Sequence, residues 1–302
     1  MSPAGSASRL SVVIASVNGL PIIDECLNAL ARQRGGVEVE TIVVDCCRNG
    51  TAEHIRRHFP LVKLFVMGTR LGIPELRAIA ISHATADVVA VIEDHCIVPE
   101  DWAEETLKAH QSGFGAVGGA VENGSVGRIV DWAAFFCEYS QAMLPIHDGE
   151  ADSITGNNAS YRRDLLEKVE ESVKRNCWEY FLHQELKKLG VRFRSSSRIC
   201  LYHKKEFRFW YFLSQRFHYS RSFAAMRAAR VPATLRLIYL LFSPFLPALM
   251  MWRIGRQVLQ KRRHYEEFFL SIPALTAFLW SYALGEFTGY LLGPGNSLYR
   301  VE

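Results

Sequence analysis

The sequence predicts an α/β protein with a mostly parallel sheet and helices on both of its faces, followed by C-terminal membrane helices. Three observations carry that expectation: short β-branched runs alternate with helical stretches from Ser11 to Val121, those runs are apolar at nearly every position, and two long uncharged segments lie near the C-terminus. Strands too apolar to face water on either side belong in a sheet covered on both faces, the setting of parallel strands joined by helices.

Taken in order, SVVIA from Ser11 reads as the first strand, with a helix around Ile22 to Arg34 after it. VEVETIVV is the second strand, followed by a helix from Thr51; VKLFV is the third, followed by Ile73 to Ala84. VVAVI, a helix from about Asp101 to Ser112, and AVGGAV continue the alternation. From about Asn123 to Arg208 the pattern is less regular: TGNNASYRRDLLEKV, a helix from Trp178 to Leu189, and a strand-like VRFRSSS leading to ICLYH complete the same domain. After Arg208 aromatics interleave with arginines, which suits a helix lying along a membrane surface.

Two apolar segments follow. Leu237 to Trp252 holds 16 uncharged residues, broken by Pro244 and Pro247, and Phe268 to Gly285 holds 18, extending to Gly293 if Glu286 is tolerated. A span needs about 20 apolar residues, so the second qualifies and the first is marginal. Arg253, Arg256, Lys261, Arg262 and Arg263 lie between them, and Arg221, Arg227, Arg230 and Arg236 precede the first. Positive charge marks the cytoplasmic side, so the first segment is expected to be kinked, re-entrant or interfacial, with both ends cytoplasmic. The alternative is a pair of buried hairpin helices in a soluble domain. The expected organisation is a flexible N-terminus over 1–9, an α/β domain over 10–208, an interfacial helical segment over 209–236, membrane helices over 237–293 and a tail over 294–302.

Composition narrows the function classes. With 49% hydrophobic and 22% charged residues the chain is neither disordered, collagenous nor coiled-coil. A net charge of +4 over 302 residues is too weak to argue for a nucleic-acid partner. Seven cysteines without C-x-x-C spacing signal neither a disulfide framework nor a zinc site, which suits a reducing cytoplasm. MSPAGSASRL contains no apolar run, so no signal peptide is expected.

In open α/β sheets ligands bind beyond the carboxyl ends of the strands, and two strands here end in acid. The second runs into Asp45, which is either a turn-forming cap for the next helix or a carboxylate for a nucleobase. The VVAVI strand runs into Glu93, Asp94 and His95. Two acids and an imidazole in succession repel unless they share a cation, so a divalent metal bridging to phosphate competes with a solvated acidic turn, and His95 tilts the metal towards Mn²⁺ over Mg²⁺. Glu179 shares a helix face with Leu182, Leu186 and Leu189, where it either caps the helix or projects into the cleft as a general base. Arg77 on the helix after GTRLGIPEL would by itself read as a solvated arginine.

Together these residues resemble glycosyltransferase family 2, inverting enzymes with a GT-A nucleotide-diphospho-sugar fold. SVVIASVNGLPIIDECLNAL looks like the family's opening strand and helix, which makes Ala15 a donor-side position. VVDCCRNGT resembles its VDxxSxD segment with Asp45 as the base-binding acid, and Arg77 falls where the family has a donor-contacting arginine. Glu93-Asp94-His95 takes the place of the DxD motif, with Glu93 and Asp94 on the donor and Asp94 and His95 on the metal. TGNNASYRRDLL resembles the acceptor-side segment and implies roles there for Gly156, Asn157 and Asn158; His203 resembles the histidine that closes that half. Glu179 matches the second acid of the ED motif, while Trp178 replaces the first. QRFHYSR is an echo of QxxRW that includes Arg216, and Phe217-His218-Tyr219 departs from the processive pattern, which favours single-sugar transfer.

The resemblance implies a membrane-attached enzyme that moves one sugar from a UDP- or GDP-type donor, with Mn²⁺ or Mg²⁺, at the cytoplasmic face of the membrane. A base at Glu179 favours a hydroxyl acceptor, on a lipid-linked saccharide for example, since a polyprenyl phosphate is already anionic. Membrane lipid is a further expected partner, nucleic acid is not, and a homo-oligomer is left open. The rivals are a polyprenyl-phosphate glycosyltransferase and a catalytically silent scaffold; a soluble nucleotidyltransferase is disfavoured because no phosphate loop of the G-x-x-x-x-G-K type is present.

Overall fold

A computed structural model describes residues 8–171 and 177–301. The chain forms two compact units: the first runs to Glu122 and resumes over Leu144–Lys204, and the second joins Asn123–Met143 to the chain from Lys205 onward.

The alternation read from the sequence is present in the first unit. It contains β1 (Arg9–Ser16), α1 (Ile22–Ala31), β2 (Glu38–Asp45), α2 (Thr51–His58), β3 (Lys63–Val66) and α3 (Ile73–Ser82). β4 (Val88–Glu93), β5 (Cys96–Ile97), α4 (Trp102–His110) and β6 (Ala116–Asn123) follow. After α5 (Ile129–Tyr139), which belongs to the second unit, come β7 (Gly149–Ala151), β8 (Ala159–Arg162), α6 (Arg163–Lys168), α7 (Glu179–Lys188) and β9 (Phe193–His203).

Among the described residues these strands make one nine-stranded sheet in the order β3-β2-β1-β4-β8-β6-β9-β5, with β7 also on β9. The half β3-β2-β1-β4 is parallel. β8 runs antiparallel between β4 and β6, so β6 points the same way as β4. Val12, Val13 and Ile14 of β1 and Ile42, Val43 and Val44 of β2 have no exposed surface, as strands covered on both faces require.

Register is what positions the site. Ser16 pairs with Asp45, Ala15 with Glu93, and Asp45 with Val66, so both acids stand at the carboxyl edge of the parallel half. The amino edge of the same half holds a buried cluster. Glu40 accepts from Ser11 Oγ, Lys63 Nζ, the Thr85 amide at 2.9 Å and Thr85 Oγ1 at 2.8 Å. Burial opposes its ionisation, but these donors outweigh burial and hold its pKa near 2 instead of 4.5. A carboxyl depressed in the folded state contributes stability that is complete above its unfolded value and is lost as the pH falls through the folded one. Acid titration of unfolding is therefore expected to show stability falling between about pH 4.5 and 2, with a shallower slope in Glu40→Gln. An unchanged slope would remove Glu40 from the account.

The second unit consists of α5 and α8 (Phe209–Ala228), α9 (Ala233–Phe242), a 3₁₀ turn (Ser243–Phe245), α10 (Leu246–Lys261), α11 (Tyr265–Leu292) and a second 3₁₀ turn (Ser297–Arg300). The stretch 123–143 lies within the expected domain 10–208. It groups instead with the C-terminal helices because α5 is apolar around most of its surface: Phe136 packs edge-on to Phe268 at 5.6 Å, and Ile129 O accepts from Ser271 Oγ at 3.4 Å.

α8 also differs from the surface-lying helix expected over 209–236. Gly285 and Gly289 of α11 let the two backbones meet: a Cβ at Gly285 would lie 2.3 Å from Phe217 O, and one at Gly289 would lie 2.4 Å from Arg221 O. The arginines are turned inward onto complementary groups. Arg216 pairs with Glu138 of α5, Arg221 Nε donates to Gly293 O at 2.9 Å, and Arg227 lies 3.6 Å from Glu286 and donates to Tyr290 Oη at 2.6 Å. Pro244 and Pro247 fall in the first turns of the 3₁₀ segment and of α10, where a missing N–H costs no helical bond. Helix therefore continues from Ala233 to Lys261 over 29 residues, longer than the uncharged stretch alone suggested. That run and Tyr265–Leu292 are long and apolar enough to cross a bilayer by length and composition.

Candidate functional site

Glu93 ends β4, Asp94 and His95 form the turn that follows, and β5 then pairs antiparallel with β9 so that Cys96 faces His203. This register brings two histidines 108 residues apart to a Nε2–Nε2 distance of 2.7 Å with their rings edge-on. Glu93 Oε2 lies 3.3 Å from His95 Nε2 and 3.5 Å from His203 Nε2. Among the described residues, Glu93, His95 and His203 are the group whose ligand atoms converge closely enough for a metal ion, all within 4.8 Å of one another.

Asp94 is used differently from what the sequence suggested. It is 1% exposed, and its Oδ2 accepts from the amides of Val17 at 3.0 Å, Asn18 at 2.9 Å and Gly19 at 3.4 Å. Its Oδ1 accepts from Asn18 Nδ2 at 2.8 Å and faces His95 Nδ1 at 2.9 Å. A carboxylate with both oxygens so occupied anchors the β1–α1 loop and, if His95 Nδ1 carries the proton, aims the Nε2 lone pair of His95 at His203 and Glu93. Of the expected pair Asp94 and His95, His95 lies with Glu93 and His203 in the group that could hold a metal ion, whereas Asp94 stands behind His95 with both oxygens engaged.

The donor set passes a chemical test for a cation. Two imidazole nitrogens at 2.7 Å cannot both present lone pairs without a proton or a metal between them, and two imidazoles with one carboxylate suit Mn²⁺ and other transition metals better than Mg²⁺. Burial opposes charge on Glu93, but hydrogen bonds from His203 and His95 and the charges of His95 and Arg77 hold its carboxyl well below the usual range. Burial pushes His95 down, and the carboxylates of Asp94 and Glu93 more than reverse it, so its pKa is raised.

Arg77 of α3 is 5% exposed, so it is not the solvated arginine a lone reading would give. Its guanidinium bridges two acids, pairing with Glu179 at the first turn of α7 and lying 3.3 Å from Glu93 Oε1. Gly156 makes room for Glu179: a Cβ there would stand 2.8 Å from Glu179 Oε2. Leu182 and Leu186 of α7 are buried as expected, whereas Leu189 is 53% exposed because the helix ends at Lys188.

Asn157 Nδ2 donates to Glu93 Oε2 at 3.1 Å, an arrangement set by β8 pairing with β4 so that Ala159 faces Val91. Asn158, at φ 61°, is consumed by structure instead: Nδ2 donates to Ala120 O at 2.7 Å and to Ile199 O at 3.1 Å, and Oδ1 accepts from Trp102 Nε1 at 2.9 Å. Arg216 belongs to the second unit, where it pairs with Glu138.

Asp45 has no exposed surface, and its Oδ1 accepts from Ser16 Oγ at 2.7 Å and the Cys47 amide at 3.3 Å. Its Oδ2 is buried and makes no hydrogen bond among the described residues. Ala15 lies beside it on β1, between Val44 and Glu93. Beyond the motifs, Tyr161 Oη meets His183 Nε2 at 2.6 Å, one helical turn below Glu179. Burial holds the pKa of His183 near 4, so it is neutral near pH 7. Neither Asn18 nor this dyad carried a sequence signal stronger than an Asn-Gly loop and a helical i, i+4 spacing.

Comparison with known proteins bears on the family and the fold. The family described as Glycosyl transferase family 2 matches residues 11–170, more than half of the chain. A mannosyltransferase from Pyrobaculum calidifontis, solved in complex with GDP-Man and Mn²⁺, superposes with a TM-score of 0.55 at 18% identity, covering 93% of this chain and 87% of that one. Residues 1–349 of TarS from S. aureus superpose with a TM-score of 0.51 at 15% identity, covering 93% of this chain and 90% of that one. No curated protein sequence matches the chain.

Proposed function

The chain belongs to glycosyl transferase family 2 and has the GT-A fold, and on that premise we propose that it transfers a single sugar, with inversion, from a nucleoside diphosphate sugar to a hydroxyl acceptor at the cytoplasmic face of a membrane. The observation that carries the reading is the convergence, at one edge of the parallel half-sheet, of Asp45 with an unfilled acceptor, the Glu93–His95–His203 trio and the Arg77–Glu179 pair. Membrane attachment is supported by the two apolar helices of the second unit.

In this mechanism Asp45 Oδ2 accepts a hydrogen bond from the nucleobase. Glu93, His95 and His203 would hold a divalent metal, which when bound would offset the negative charge that grows on the departing diphosphate. Asn157 and Arg77 fix the Glu93 carboxylate from two sides, which leaves Oε2 aimed at the histidines. Glu179, paired with Arg77, takes the proton of the attacking hydroxyl, and Gly156, where a side chain would collide with Glu179 Oε2, lets that carboxylate take its place. Holding acceptor and donor in line supplies the rest of the rate enhancement.

The test is calorimetric titration of UDP- and GDP-sugars with and without Mn²⁺, on the wild type and on His203→Ala. Mn²⁺ is expected to tighten donor binding to the wild type, and His203→Ala to weaken that metal-dependent binding by about 10²-fold or more. Donor binding indifferent to Mn²⁺ in the wild type would favour a silent scaffold. Sugar transfer to an isolated polyprenyl phosphate, with none to hydroxyl acceptors, would move the reaction to the lipid-phosphate class.

A further inference from the structure

We propose that the second unit seats on one leaflet of an anionic bilayer, with α11 lying in the interface instead of crossing it. The inference rests on the membrane attachment proposed above and goes beyond it by giving the orientation, which differs from the spanning second segment that length alone suggested.

The case begins with what must be covered. α9 is strongly apolar yet has no buried residue, and Leu237, Leu241 and Phe242 are 54%, 62% and 63% exposed. α11 exposes a stripe that includes Phe269, Trp280, Leu284 and Leu292. α10 continues the surface with Leu249 and Trp252, and Arg256 stacks over the Trp252 ring at 5.6 Å. Arg253, Arg256 and Arg262 are exposed beside it. A contiguous apolar face of this extent needs an occupant, and a basic–aromatic border matches the charged headgroup level of an anionic leaflet.

What covers the opposite side of α11 decides the orientation. α5 packs on its amino-terminal half through Phe136 and Phe268, and α8 packs on its carboxyl-terminal half from Phe212 against Phe278 to Ala224 against Gly289. Neither α5 nor α8 is among the helices apolar enough to span. If α11 crossed the bilayer, Phe278 would lie near the mid-plane, and α8 would be carried in beside it with Arg216, His218, Arg221 and Arg227. Arginine near the centre of a span is strongly disfavoured, because its charge leaves water. With α11 in the interface those groups stay outside the hydrocarbon, and the exposed stripe alone sinks about 5 to 10 Å below the headgroups.

The native tryptophans report the depth. The full chain is reconstituted into phosphatidylcholine–phosphatidylglycerol vesicles whose acyl chains carry bromine either near the glycerol end or near the methyl end. The contributions of Trp280 and Trp252 are isolated by difference from Trp280→Phe and Trp252→Phe, both exposed positions that tolerate the change. The expected result is that both are quenched more strongly, by roughly twofold, by bromine near the glycerol end, because an interfacial helix holds them at one shallow depth. Stronger quenching of Trp280 by bromine near the methyl end would show that α11 crosses, and would overturn the orientation while leaving attachment standing. Failure to float with the vesicles, with no quenching of either residue, would overturn attachment itself.

Discussion

Glu179→Gln is expected to lower turnover by about 10²- to 10⁴-fold while donor affinity changes little, since removing a general base raises the barrier by about 3 to 5 kcal/mol. The amide keeps the size of the side chain and can still accept from Arg77, so the constriction made by Gly156 and the position of α7 survive. If Glu179 only stabilises its helix end, the loss is roughly 0.3 to 1 kcal/mol of stability with no specific effect on rate. Steady-state kinetics with a saturating donor, set beside the melting midpoint, separates the two. A variant with near-normal turnover and a slightly lowered midpoint would remove the base, and with it the argument for a hydroxyl acceptor.

Asp94→Asn is expected to act on stability first. The wild-type carboxylate collects three amides and the Asn18 side chain in a nearly water-free setting, and an asparagine must direct an NH₂ at some of these donors. Breaking a buried charged group of this kind costs about 3 to 5 kcal/mol, enough to lower the melting midpoint by roughly 10 °C in a chain of this size. Metal and donor binding should weaken with it, because the loop and the His95 ring lose their anchor. The contrast with His203→Ala makes the test specific, since that change removes a proposed ligand atom without touching the β1–α1 loop. An Asp94→Asn protein that melts like the wild type but no longer binds metal would return Asp94 to the role of a direct ligand.

Much of the fold was legible in the chain, for a physical reason. The apolar runs of β1, β2 and β4 are too hydrophobic for any solvated position, and the acids that end them could only stand at a strand mouth. Helix starts at Ile22, Thr51 and Ile73 were likewise local matters. The break at Asn123 was not, because α5 joins the second unit through ring contacts with a helix more than a hundred residues away. Nor was the inward turn of the arginines of α8, which depends on Glu138 and Glu286 arriving from other helices, although the Gly285-x-x-x-Gly289 spacing was there to be read.

By itself, the sequence determined which residue types reach the carboxyl edge of the sheet: Asp45, Glu93, Asp94 and His95 from strand ends, and Glu179 from the start of an amphipathic helix. Only the tertiary structure decided how they divide the work. The Asp94 carboxylate meets the β1–α1 loop while Glu93 and His95 converge on His203, and the antiparallel pairing of Cys96 with His203 brings in the third member of that group. The two carboxylates and the two imidazoles are interchangeable as letters. Their roles follow from which donors and acceptors the pairing of distant strands sets within about 3 Å of them, and no local spacing encodes that.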